Sequence, residues 1–450
     1  MSTVTEHEPS LLERGWSLLL SSAKDAKQRE RALRVAIRLV ESDPWQLAAV
    51  ALLVRLAIAG AREDDAAPAA ARLADAYVRR GDLAAATAAA VLADRAGGEG
   101  ATLRREIAKA FGQGSSRLAD VSPAPPPLPS SPATDAKLEA LTGEALLDRA
   151  AAALASFTET TDPVAHGKVP LLPLFSQLAP APLERLLGSL TVRDFDAEGI
   201  VIDQGSEGRE AFVVVRGTLR AERRAAVGDD RGPTLLAVLG PGAIFGEMAL
   251  VSSAPRAASV YAQEPTTLLV ASREALESLA STEPAIGREL GSYCRSRMLA
   301  NLVRTSALLR AIPAADREGM IALFDAKTFG EGEVLFTQGG EPEGLYLVAS
   351  GGVRVTTSDP AGGEDIVVAD LGPGDVVGEI SIVLRRPATA TVTAAFPTVA
   401  LELSRDRFQD AIRAHPAVLT ELYGLATQRQ DELHSVVAQE ALDVEDVVLL

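Results

Sequence analysis

The sequence predicts a multidomain chain: an N-terminal all-α helical repeat, followed by two β-barrel (jelly-roll) units with flanking helices. Three observations lead to this expectation. From Leu11 to Gly112 the chain is rich in Ala and Leu at helical spacing, with no strand-like alternation. A proline-dense run, Ser122 to Pro132, then interrupts it. Beyond Val169 the pattern changes to short strands and Gly-rich turns, and it recurs once at an offset of about 134 residues.

The 450 residues and 47 % hydrophobic composition allow two to four domains with real cores. With 44 Lys plus Arg against 61 Asp plus Glu, the formal charge is −17. Nucleic acid is held chiefly by basic side chains replacing counterions, so this balance argues against a nucleic-acid partner. Any bound anion needs a local exception. The lone Cys294 permits no internal disulfide. Met1 to Leu12 lacks the basic and apolar order of a secretory signal. The longest apolar stretch, Leu47 to Ala61, is too short to cross a bilayer and contains Arg55. A cytoplasmic protein without a membrane span is expected.

In the N-terminal part, breakers fall at segment ends: Asp43-Pro44, Gly60 to Pro68, Gly81-Asp82 and Gly97-Gly98. Ala74, Tyr77, Ala85, Ala89 and Ala93 put small residues three or four apart on two helices joined at Gly81-Asp82. Close helix approach follows, and the pattern resembles a tetratricopeptide repeat; Ala32, Ala36 and Pro44 resemble part of another unit. An Ala-rich bundle with no peptide groove is the alternative. Residues 1–112 are assigned to this helical region and 113–135 to a Pro-rich linker, since proline at this density forms neither helix nor central strand. Residues 136–168 are expected as connector helices.

Within the duplicated part, Phe195 to Ile202 matches Phe329 to Phe336, Ala211 to Gly217 matches Leu345 to Gly351, and Leu239 to Gly242 matches Leu371 to Gly374. Helices are predicted at Ala181 to Leu190, Arg273 to Val303 and Arg405 to Val437. The units are bounded at 169–303 and 304–450.

The first unit ends in Phe245-Gly246-Glu247-Met248-Ala249-Leu250, then Pro255-Arg256-Ala257-Ala258-Ser259-Val260. This run resembles the phosphate-binding cassette of the cyclic nucleotide-binding domain, as in regulatory subunits of cAMP-dependent protein kinase and the catabolite activator family. The resemblance covers both units, and implies ligand contacts by Phe245, Gly246, Glu247, Met248, Ala249, Arg256, Ala257, Ala258 and Ser259. The chemistry suits these residue types. A helix end opening at Gly246 presents unpaired N–H groups to a phosphate, and the missing side chain admits the ligand. Arg256 supplies a cationic fork matched to phosphate oxygens. Glu247, an acceptor when ionised, suits a ribose hydroxyl. Family members favouring cGMP tend to carry a hydroxyl residue after the arginine; Ala257 has none, so the resemblance points to cAMP, with cGMP second.

The second unit departs at the decisive position. Gly378, Glu379, Ile380 and Ser381 align with the start of the first cassette, but Ala388 and Thr389 stand where Arg256 and Ala257 do. Without that arginine the second site is expected to be degenerate: silent, tuned to another nucleotide such as a cyclic dinucleotide, or a docking surface. Arg385 and Arg386 are read as solvated loop residues. Arg223-Arg224-Ala225-Ala226-Val227 resembles a kinase pseudosubstrate but falls in a loop between strands. The four histidines, His7, His166, His415 and His434, lie outside both barrels, which argues against a metal-dependent cupin enzyme. The chain after Ala411 is too short for a winged DNA-binding domain.

The function expected is a non-enzymatic cyclic nucleotide receptor without cofactor or metal, with Tyr293 or Leu299 closing over the purine. Its output would pass through helices Glu274 to Arg304 to an unknown client protein, by way of the helical repeats or the second barrel. The alternatives are a ligand-independent scaffold or a regulatory subunit inhibiting a separate catalytic chain.

Overall fold

The computed structural model describes residues 9–21, 25–122, 132–164, 167–224, 233–250, 255–358 and 365–448. Most of the Pro-rich run, the loop 225–232 with most of the pseudosubstrate-like motif, His7 and His166 lie outside the described residues. The chain divides into two compact units, one of residues 1–204, 209–247 and 258–291 and one of residues 205–208, 248–257 and 292–450.

The first unit begins with six helices: α1 (Leu11–Ser21), α2 (Ala26–Ser42), α3 (Leu47–Ala59), α4 (Glu63–Arg80), α5 (Leu83–Arg95) and α6 (Gly100–Phe111). Local chemistry sets their ends. Ser10 and Glu13 form a reciprocal capping box at α1. Helix α4 has Glu63, Asp64 and Asp65 in its first turn and Arg79 and Arg80 in its last, the order the helix dipole favours. It stops at Gly81, whose φ of 77° is a left-handed conformation that glycine adopts readily. Asp82 then caps α5, accepting from the Ala85 N–H at 2.9 Å. Ala74, Ala85, Ala89 and Ala93 are buried, as the small-residue spacing predicts.

Strand β1 (Leu118–Ala119), helices α7 (Ala136–Glu139) and α8 (Gly143–Glu159), and strand β2 (Val169–Pro170) follow. Here the structure departs from the sequence expectation. Segment 113–135 is not purely a spacer, because β1 pairs in parallel with β2. Nor is α8 a connector. Its Leu146, Ala150, Ala153, Leu154 and Phe157 share one buried core with α1 to α5, and Phe157 meets Trp45 edge to face at 5.4 Å. The physical reason is the apolar stripe: three large side chains of this kind, left in water, would each forgo about 1.5–3 kcal/mol.

Helix α9 (Pro180–Ser189) leads into eight strands: β3 (Thr191–Phe195), β4 (Ile200–Ile202), β5 (Glu210–Arg216), β6 (Leu219–Arg223), β7 (Thr234–Leu239), β8 (Ile244–Phe245), β9 (Ser259–Ala262) and β10 (Thr266–Ser272). They form two four-stranded antiparallel sheets, ordered β3-β10-β5-β8 and β4-β9-β6-β7, a jelly-roll-like sandwich rather than a closed barrel. Ile202, Phe212, Val214, Leu219, Phe245, Val260, Leu268 and Val270 fill its core.

The helical region seats on this sandwich through polar contacts. Arg55 pairs with Asp194, which also accepts from Thr267 Oγ1 at 2.7 Å. The Arg216 guanidinium stacks 4.0 Å from the Trp16 ring. Burial, and then the like charge of Arg55, push the Arg216 pKa down to about 10, against the opposing pull of Asp194 and Glu264.

Helices α10 (Arg273–Thr282) and α11 (Pro284–Thr305) come next, then α12 (Ala307–Arg310) and α13 (Arg317–Ile321). The second sandwich has β11 (Asp325–Phe329), β12 (Val334–Phe336), β13 (Gly344–Ser350), β14 (Val353–Thr357), β15 (Ile366–Leu371), β16 (Val376–Val377), helix α14 (Glu379–Leu384), β17 (Thr391–Ala394) and β18 (Thr398–Ser404). Its sheets, β11-β18-β13-β16 and β12-β17-β14-β15, repeat the first sandwich strand for strand. Helices α15 (Arg405–Ala414) and α16 (Pro416–Val448) close the chain. The helical spans expected at 273–303 and 405–437 are each made of two helices, divided at Glu283-Pro284 and His415-Pro416, because proline disfavours helical backbone in the residue before it.

Candidate functional site

In the first cassette, β8 ends in Phe245, which is buried and stacked on Phe212 at 5.1 Å between centroids. Gly246 follows at a φ of 72°. Glu247 to Leu250, including Met248 and Ala249, form a 3-10 turn where the sequence suggests a helix end. Glu247 is 4 % exposed. The Arg256 main chain is clamped on both sides: Gly205 N–H donates to Arg256 O at 2.9 Å, and Arg256 N–H donates to Ser206 O at 2.9 Å. Ala257 is exposed and Ala258 half-buried. Ser259, buried at the start of β9, accepts from the Gln204 N–H at 3.0 Å.

The second cassette keeps that frame. Gly339 N–H donates to Ala388 O at 2.8 Å, Ala388 N–H to Gly340 O at 2.8 Å, and Gln338 N–H to Thr391 Oγ1 at 3.0 Å. Gly378 has a φ of 85°, and a Cβ there would lie 3.0 Å from Gly344 O, so both conformation and close approach call for glycine. Here the backbone after it forms a true short helix, α14.

Gly378, Glu379, Ile380, Ser381, Ala388 and Thr389 all line one cavity, partly open to solvent, with Phe336, Val377, Ala390 and Val392 among its apolar walls. Arg385 and Arg386 are exposed and not among its lining residues. Leu299 is partly buried against the core of the second unit; Tyr293 is half-buried.

The lining residues that α16 contributes, Arg429, Glu432 and Leu433, escaped the sequence reading. Arg429 Nη1 donates to Glu379 Oε1 at 3.0 Å and to Val376 O. A signal was present. Leu422, Ala426, Arg429 and Leu433 share one face at helical spacing, and Arg297 stands at the same distance from Pro284 as Arg429 from Pro416. Among the described residues no group of His, Cys, Asp and Glu could hold a metal ion, and no helix is long and apolar enough to cross a membrane.

The cyclic nucleotide-binding domain model matches residues 192–283 and 326–415. The chain is 28 % identical over 236 residues to the cAMP-dependent protein kinase regulatory subunit of Yarrowia lipolytica, covering 52 % of this chain and 58 % of that one. It is 29 % identical over 216 residues to the regulatory subunit of Dictyostelium discoideum, covering 48 % and 63 %. It thus spans less than two thirds of either relative. The solved regulatory domain of Toxoplasma gondii PKA with cAMP is 24 % identical, covering 57 % of this chain and 92 % of that one, at a TM-score of 0.27, too low to add to the sequence match. The two matched segments fall on the two sandwiches and their cassettes, so each sandwich matches the cyclic nucleotide-binding domain.

Proposed function

We propose that this chain is a non-enzymatic receptor in which the first cassette takes a cyclic nucleotide, cAMP in preference to cGMP, and relays binding to a partner protein. The observation that carries the reading is the contrast at one position: two cassettes share the same main-chain clamp, and the first presents Arg256 where the second presents Ala388. In an acidic chain, one guanidinium is the local exception an anion requires. The contribution of Phe245, Gly246, Glu247, Met248, Ala249, Ala257, Ala258 and Ser259 is shape and polar complement: close approach at glycine and alanine, and a carboxylate acceptor for a ribose hydroxyl.

The helical region bears directly on the first sandwich, through Arg55 to Asp194 on β3 and Trp16 to Arg216 on β5. A change in that sandwich has a short route to the helices, and through them to a client. The kinship with kinase regulatory subunits favours a kinase catalytic chain as that client. Titration calorimetry of the full chain with cAMP, cGMP and cyclic di-GMP tests the proposal. Binding of cAMP at one site per chain is expected; no heat with any of the three supports the ligand-independent scaffold instead.

A further inference from the structure

We propose that the cavity of the second cassette binds an uncharged nucleoside, with Glu379 and Ser381 as its sugar contacts and the apolar strand walls around its base. The polar groups on the cavity call for hydroxyls. Glu379 is 3 % exposed, and Arg429 Nη1 donates to its Oε1. Among the described residues no hydrogen bond reaches its Oε2, which leaves one acceptor of a buried carboxylate for a hydroxyl donor. Ser381 lines the same cavity at 2 % exposure, and its hydroxyl has no hydrogen-bond partner among the described residues. Buried polar groups are ordinarily paired, so both point to a ligand that supplies the missing partners.

The charges on the cavity disfavour a phosphate. Ala388, 5 % exposed, stands where the first cassette has Arg256. Arg429, the cation among the lining residues, is already bonded to Glu379 and to the Val376 carbonyl, and Glu432 adds a second carboxylate. An anion would meet two carboxylates against one committed guanidinium, whereas a neutral ligand leaves that pair intact. The other walls, Val355, Leu371, Val377 and Val392 among them, suit the flat apolar faces of a base. A free sugar lacks that apolar body, and a lipid chain lacks the adjacent hydroxyls. A nucleoside carries both.

The inference goes beyond the receptor reading and does not depend on it. Adenosine and guanosine are titrated by calorimetry, beside cAMP and cyclic di-GMP, into full-length chain carrying Arg256→Ala, which removes the phosphate arginine of the first cassette. At least one nucleoside is expected to bind at one site per chain, ten-fold or more tightly than either phosphate-bearing ligand. Its 2′-deoxy form should bind about ten-fold more weakly or worse, because it lacks a hydroxyl for the carboxylate. Glu379→Gln, which keeps the shape of the side chain, should narrow that gap between the ribose and deoxyribose forms. No heat with either nucleoside at millimolar concentration, a phosphate-bearing ligand bound as tightly, or equal binding of the ribose and deoxyribose forms overturns the proposal. A gap unchanged in Glu379→Gln overturns it as well, since the sugar then contacts some other residue. The ribose comparison in the parent chain stands even where Glu379→Gln fails to fold. The cAMP titration of the chain with Arg256 intact is scored separately; its failure overturns the receptor reading and leaves the nucleoside result standing.

Discussion

Replacing Arg256 by alanine is the most direct perturbation of the receptor reading, and the duplicated cassette supplies its control. The main-chain bonds that hold position 256, Gly205 N–H to Arg256 O and Arg256 N–H to Ser206 O, do not involve the side chain. At position 388 the same pair of bonds is made around an alanine, at 2.8 Å each. Arg256→Ala should thus keep the loop in place and remove only the guanidinium. A hydrogen bond to a charged group contributes about 1.5–3 kcal/mol net, so cAMP affinity should fall about ten-fold to somewhat over a hundred-fold. Calorimetry of both chains at one ionic strength measures this, with the thermal midpoint as a check on folding. A variant that binds cAMP within about threefold of wild type refutes the assignment of Arg256 to the anion, since that difference is below about 0.7 kcal/mol.

Three further outcomes follow from the packing. Trp16 is 2 % exposed and lies beneath the guanidinium groups of Arg216 and Arg55, so Trp16→Ala should cost about 3–5 kcal/mol and loosen the helical region from the first sandwich; limited proteolysis and denaturant unfolding report it, and unchanged unfolding counts against the seam. Gly378→Ala places a side chain at a φ of 85° and 3.0 Å from a carbonyl, so it should destabilise the second domain by about 1–2 kcal/mol or more in urea titration, whereas the same change at the open Gly372 should not. Burial raises the Asp82 carboxyl to about 6, against its backbone hydrogen bonds to Ala85 and Ala84. The native state therefore holds this proton more tightly than the unfolded state, and the Asp82 contribution falls as pH rises from about 4 to about 6, by up to about 3 kcal/mol. Asp82→Asn, which preserves the cap, should flatten that part of the profile of thermal midpoint against pH; a profile identical to wild type would contradict burial of this carboxyl as the cause.

Much of the site was legible because the chain states it twice. Gly246-Glu247 and Gly378-Glu379, the paired Leu-Gly-Pro-Gly turns and the Gln204/Ser259 and Gln338/Thr391 positions recur in register, and each copy confirms the other's strand pairing. The loss at Ala388 was equally plain, since one aligned position differs in charge. Helix ends in the N-terminal part were readable from local chemistry, as at Gly81 and Asp82.

What escaped was always a matter of which surface covers which. The stripe Leu146, Ala150, Leu154, Phe157 marks an amphipathic helix, but only the packed structure assigns it to the core of α1 to α5 rather than to a connector. The spacing of short strands is compatible with either a barrel or a sandwich, and the ladder order decides between them.

The sequence by itself determined the duplication, the cassette residues and the asymmetry between Arg256 and Ala388, because these are local and repeated. Only the tertiary structure decided that Glu379 has a partner, because Arg429 reaches it across 50 residues of chain. The spacing of Leu422, Ala426, Arg429 and Leu433 marks a helix face but not the carboxylate that this face meets. Burial demands the partner, and the fold selects which residue supplies it.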